Sequence, residues 1–89
     1  MSGGTALYKN RGPNGRCNLC GIHVAALRKA KKPKLSQRGL ADQLQLIGLD
    51  VDKNAVQRIE SGQRFVTDIE LKALAQILHT SVEQLLQES

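Results

Sequence analysis

Asp52-Lys53-Asn54-Ala55-Val56-Gln57-Arg58-Ile59-Glu60-Ser61-Gly62 is the stretch on which the reading of the fold turns. Placed at about 100° per residue, the period of an α-helix, Lys53, Asn54, Gln57, Arg58 and Ser61 fall within one sector, and all five are polar. Ala55, Val56, Ile59 and Glu60 fill the opposite sector, an inward face with one acid in it. Asp52 suits the N-cap, and Gly62 suits the position after the last turn, where the chain passes through positive φ. Lys, Asn, Gln and Arg carry donors and acceptors that match base edges in the DNA major groove, so the outward sector is a candidate base-reading face. A solvated face on an ordinary amphipathic helix gives the same pattern, and the surrounding chain has to decide between them.

Working outward, the flanking residues predict four more helices. Ser36 is an N-cap whose preceding Leu35 can staple to Leu40, and Leu40, Ala41, Leu44 and Ile47 form an inner face that stops at Gly48. The device recurs with Val51 and Val56 around Asp52, and with Val66 and Leu71 around Thr67. Thr67 and Glu70 make a capping box for a fourth helix with Leu71, Leu74, Ala75 and Leu78 inward. Ser81 and Gln84 make a weaker box for a fifth, carrying Val82, Leu85 and Leu86. Ahead of these, a first helix is expected from about Asn18 to Lys31, with Leu19, Ile22, Ala26, Leu27 and Ala30 as its buried stripe and Pro33 as its stop. The prediction is an all-α fold of five helices.

Composition agrees with that. The 89 residues make one small domain, with no Trp, one Tyr (Tyr8) and one Phe (Phe65), so the core is aliphatic. The net charge of +5 is unevenly spread: residues 1–38 hold nine Lys and Arg and no acid, whereas residues 67–89 hold four acids against Lys72. A basic half beside a polar helix face implies a polyanion partner, with the acidic end facing away from it. No apolar run approaches the roughly 20 residues of a membrane span, and the N-terminus lacks a signal-peptide core, so a cytoplasmic protein with no membrane attachment is expected. Residues 1–16, rich in Gly with Pro13 and two Asn, read as a flexible basic arm whose Lys9, Arg11 and Arg16 can reach phosphates, leaving 17–89 as the folded domain.

Cys17 and Cys20 form a C-x-x-C pair with His23 one turn beyond and His79 far along the chain. Four such ligands suit zinc only if the start of the first helix meets the end of the fourth. A redox pair is a second option, because a thiol at a helix N-terminus has a lowered pKa. In the third, Cys20 packs as a small apolar residue and no metal is bound. No nucleophile, base and orienting group recur at workable spacing, so no enzyme, cofactor or small-molecule ligand is expected.

The run Leu27-Arg28, Leu35-Ser36-Gln37, Leu40-Ala41, Val56, Arg58-Ile59-Glu60-Ser61-Gly62, Leu74-Ala75, Leu78 and Ser81-Val82-Glu83-Gln84-Leu85-Leu86 closely resembles the Cro/C1-type (phage-repressor-like, XRE) helix-turn-helix family over residues 22–86. The resemblance implies a lambda-repressor-like fold and a sequence-specific, repressor-like transcriptional regulator that lays helix 52–61 in the major groove of double-stranded DNA. It keeps Lys53, Asn54, Gln57 and Arg58 on the bases. It gives Gln37 a phosphate contact and a buttressing role, and sets Ser61 and Arg64 along the backbone, where the basic Lys32 and Arg38 join them. It further implies an ion pair between Arg28 and Glu60, in keeping with an acid on the inward sector that needs a partner. A homodimer through the C-terminal helix is expected for so short a reading helix. Two alternatives stand beside this reading: a protein-interaction module on the same fold, such as an antitoxin or adaptor, and a metal- or redox-sensing regulator using Cys17 and Cys20. The sequence departs from the family pattern in its connections, since sixteen residue steps separate Ser36 from Asp52 and Lys31-Lys32-Pro33-Lys34 lengthens the first link. Both bear on the angle at which the reading helix docks.

Overall fold

The residue immediately before the helix supplies a side-chain cap to four of the five α-helices among the described residues. The computed structural model describes residues 13–88. In it α1 spans Gly21–Ala30, α2 Gln37–Leu46, α3 Lys53–Ser61, α4 Asp68–Ile77 and α5 Val82–Leu85, with no strand among the described residues. Ser36 Oγ accepts the Gly39 N–H at 2.9 Å, and Asp52 Oδ1 accepts the Ala55 N–H at 2.8 Å. Thr67 and Glu70 complete a reciprocal capping box, with bonds of 3.2 and 3.1 Å. Ser81 makes only its half: its hydroxyl accepts the Gln84 N–H, while the Gln84 amide oxygen turns instead to the Thr80 hydroxyl. Each such cap satisfies a first-turn N–H that would otherwise lack a partner, a gain of about 1 kcal/mol.

Three helices end in the same way. After α3, Gln63 N–H donates to the Arg58 carbonyl at 2.8 Å and Gly62 N–H to the Ile59 carbonyl at 3.1 Å, with Gly62 at φ 82°. This is a Schellman turn, which closes the orphan carbonyls of the last turn and requires a left-handed residue. α2 ends alike at Gly48, and α4 ends with Thr80 N–H on the Ala75 carbonyl. In α4 the left-handed position is held by His79 at φ 57°.

The first helix differs from the expectation in start and in face. Asn18 Oδ1 accepts the Gly21 N–H at 2.7 Å, so Asn18 caps from three residues ahead, and α1 begins at Gly21. Ile22, Ala26 and Ala30 are exposed, and Cys20, Val24 and Arg28 point inward with Leu27 half-buried. Apolar residues surround this helix on every side, so periodicity cannot choose its face. Gly21 chooses it: a Cβ there would collide with the Ile59 carbonyl oxygen, and only the bare backbone can lie on the end of α3.

The second correction concerns the link between α2 and α3. Helix α2 ends at Leu46, which is 84% exposed, and Ile47, expected inward, is 54% exposed. The extra residues therefore lengthen the turn and leave the helix at ten residues. Gln45 Nε2 closes that turn by donating to the Val51 carbonyl at 3.2 Å, and Val51 itself is buried.

The core is aliphatic, built from Val24, Leu40, Leu44, Val51, Val56, Ile59, Leu74, Leu78 and Leu85 with smaller residues between them. Burying each of these larger side chains is worth about 1.5–3 kcal/mol. α3 packs against α1 and α2, α2 also meets α4, and α5 touches both α4 and α1. α3 is thus held from beneath, with its outward sector left to solvent.

His79 in the left-handed region is a strained L-residue, at a cost of about 1–2 kcal/mol. His79→Gly is expected to raise stability by about 1 kcal/mol in urea denaturation, through relief of that strain less the added chain entropy of Gly.

Candidate nucleic-acid interface

Lys53, Asn54, Gln57, Arg58 and Ser61 are all exposed on the outward side of α3, whereas Val56 and Ile59 on the opposite side are buried. Asn54, Gln57, Arg58 and Ser61 line one shallow hollow together with Gln63, a residue the helical period alone does not select because it follows the Schellman turn. Lys53 and Asn54 also border a second hollow against α2, shared with Arg38, Asp42, Gln45 and Asp52. Lys53 then continues into a groove with Lys29, Lys34, Gln37 and Arg38, so the start of α2 and the start of α3 make one basic edge. Lys32 is exposed on the connection that precedes α2.

Glu60 also borders that groove, with its carboxylate turned to α1 and α2. Arg28 Nε donates to its Oε2 at 2.7 Å and Arg28 Nη2 to its Oε1 at 3.0 Å, a bidentate pair whose side chains are 9% and 8% exposed. Gln37 Nε2 donates to the same Oε1 at 3.0 Å, and Arg28 Nη1 donates to the Leu35 carbonyl. The hydrogen bonds to Glu60 hold the Arg28 guanidinium above its ordinary range. One carboxylate thus ties α1 and the first turn of α2 to α3, and the Gln37 amide is engaged as a buttress.

Arg64 makes an internal pair that the resemblance did not imply. Its Nη1 and Nη2 donate to Glu70 Oε1 and Oε2 at 2.9 and 3.0 Å, and Nη1 also donates to the Phe65 carbonyl. The guanidinium expected along a phosphate backbone thus also braces the capping box of α4 and is 27% exposed there. These bonds hold the Glu70 carboxyl below its usual range. That contribution to stability is present above pH about 4.5 and is lost as pH falls through the lower folded value.

The C-terminal end of α3 is held by residues that the sequence reading assigned to an arm and to the opening of the first helix. Arg16 Nη2 donates to the Glu60 carbonyl at 2.8 Å, so Arg16 lies on the folded body; Lys9 and Arg11 fall outside the described residues. Asn18 Nδ2 donates to the Ile59 and Arg64 carbonyls at 3.0 and 2.7 Å, and Cys17 N–H to the Gly62 carbonyl at 2.7 Å. The one signal available beforehand was the set of orphan carbonyls that every helix end carries.

The cysteine and histidine candidates are not gathered. Cys20 is buried in the core, His23 donates from its ring to the Gln87 carbonyl at 2.7 Å, and His79 ends α4. Among the described residues no group of three or more His, Cys, Asp or Glu side chains could hold a metal ion. Burial pushes the Cys20 thiol up to about 11, opposite to the lowering expected of a thiol at a helix start. The C-terminal surface also changes: Leu85 is wholly buried, Val82 is half-buried, and Leu86 is left exposed.

Two measurements follow from this geometry. Arg28→Met or Glu60→Leu alone is expected to cost about 3–5 kcal/mol in denaturant unfolding, because each leaves a buried charge unpaired, and the double variant should cost less than their sum. Additive losses would show that the pair is not coupled. In thiol alkylation at neutral pH, Cys20 is expected to react only after unfolding; labelling of Cys20 in the folded protein would contradict its burial.

A family model for helix-turn-helix domains matches residues 24–85. No match was found among the curated proteins or among the solved structures. The matched span runs from within α1 to the last residue of α5 and contains α2, its turn and α3. With most of its length in that match, the chain belongs to the Cro/C1-type (XRE-like) helix-turn-helix family of DNA-binding regulators.

Proposed function

We propose that this protein is a sequence-specific, repressor-like transcriptional regulator of the cytoplasm, which lays α3 in the major groove of double-stranded DNA. One observation carries the reading: the side chains suited to base edges, Lys53, Asn54, Gln57 and Arg58, are exposed together, while the only acid of the helix, Glu60, is withdrawn to Arg28 and Gln37. Arg38, Lys32 and the Lys29–Lys34 cluster are assigned to phosphates, with Ser61 at the far end of the helix and the second amide hydrogen of Gln37 free to join them. Arg64 is assigned to a phosphate as well, and holds the loop after α3 through Glu70.

Because phosphate contacts supply much of the affinity, binding should weaken steeply with salt. Lys53→Ala, Asn54→Ala or Arg58→Ala is expected to cost about 1–3 kcal/mol on a duplex selected from a random pool and to relax its preferred sequence. Lys32→Ala should weaken selected and unrelated duplexes alike. Titration of both duplexes at two salt concentrations tests this. A protein-binding module on the same fold would show neither preference nor a steep salt slope.

The reading helix covers few base pairs, so we assign the active form to a homodimer on a palindromic or repeated site. The dimer surface is placed at the C-terminal end, on Leu86 and the open part of Val82, since Leu85 is taken up by the core. Sedimentation at micromolar concentration should show dimer, at least with duplex present; monomer alone under both conditions overturns this assignment.

A further inference from the structure

The end of α3 and the loop behind it are held from a distance. Arg16, Cys17 and Asn18 donate four hydrogen bonds to the carbonyls of Ile59, Glu60, Gly62 and Arg64, all between 2.7 and 3.0 Å. The partners of the side-chain bonds lie 41 to 46 residues apart in the chain, so none of these bonds is local capping. The fit depends on close approach: a Cβ on Gly62 would stand 2.7 Å from the Arg16 guanidinium carbon. Arg16 Nε is buried there without a hydrogen-bond partner, a cost that simple packing of the end of a helix would not require.

We propose that Arg16 and Asn18 are positioning residues for base reading: together they fix the last turn of α3 and residues 62–64, and so set the angle at which Arg58, Ser61 and Gln63 meet DNA. The proposal rests on the reading of α3 as the DNA-contacting helix. The two residues act on the backbone side of the same turn whose other side lines the hollow of Asn54, Gln57, Arg58, Ser61 and Gln63. A turn clamped on its carbonyls has fewer orientations to lose on binding, which favours the one sequence its side chains fit over all others.

The test separates clamping from folding. Asn18→Ser keeps an oxygen able to cap Gly21 and adds no charge, but is too short to reach the Ile59 and Arg64 carbonyls. Arg16→Lys keeps the charge and one donor toward Glu60, whereas Arg16→Met keeps neither. In the full chain, amide hydrogen exchange at Gly62, Gln63 and Arg64 and affinities for the selected and an unrelated duplex are measured. For Asn18→Ser, exchange is expected to rise about tenfold and affinity for the selected duplex to fall about tenfold, with the unrelated duplex changed by less than about twofold. Arg16→Met should show the same loss of preference, and Arg16→Lys should restore it; these two decide the matter if Asn18→Ser does not fold. Equal losses on both duplexes, or preference and exchange that stay as in the wild type in folded variants, overturn the proposal alone. A wild-type protein that prefers no duplex overturns the reading of α3 first, and the proposal with it.

Discussion

A carboxylate taken out of water has to be paired, and in this protein that requirement joins three helices. Glu60 lies on the inward side of α3, where it accepts from Arg28 of α1 and from Gln37 at the start of α2. A buried charge pair is weak evidence for stability, since its desolvation cost offsets most of its attraction. What it does supply is register. Arg28 can reach Glu60 only with α1 rotated to bring Arg28 inward beside Val24, and Gln37 can reach it only with the first turn of α2 set against α3. The angle between the two helices of the helix-turn-helix is thereby tied to one side chain. The outward sector of α3 itself carries no acid, and the exposed Asp42 and Asp52 border it beside Lys53 and Asn54.

The sequence made local features legible and long-range ones obscure. Ser36, Asp52, Thr67 and Ser81 start their helices as read, because a cap is decided within three or four residues. The inward place of Glu60 followed from helical period. By contrast, α1 is apolar on all sides, and its true face was set by contact with the end of α3, which no periodicity contains. Leu46 and Ile47 illustrate the same limit: they continue the apolar pattern of α2 yet lie exposed at its end, where no other element covers them.

Charged residues divided along the same line. Exposure of Lys53, Asn54, Gln57 and Arg58 could be read from position on the helix, but the engagement of Arg64 by Glu70 and of Arg16 by the Glu60 carbonyl depended on how loops return in space. Composition gave a basic first half, and the fold then used part of that charge internally, leaving Arg38, Lys29, Lys32 and Lys34 exposed near the start of α2. Cys20 was pulled inward as a small apolar residue, and burial holds its thiol above the range in which a reactive thiolate forms.

The outward side of α3 and the adjoining edge of α2 are the surface we propose for DNA. Mapping of backbone amide chemical shifts during titration with a selected duplex tests this most directly. The largest changes are expected on Lys53–Ser61, on Gln63 and on the first turn of α2, with α4 little moved. Changes concentrated on α4 and α5, with the amides of α3 unmoved at saturating duplex, would contradict it.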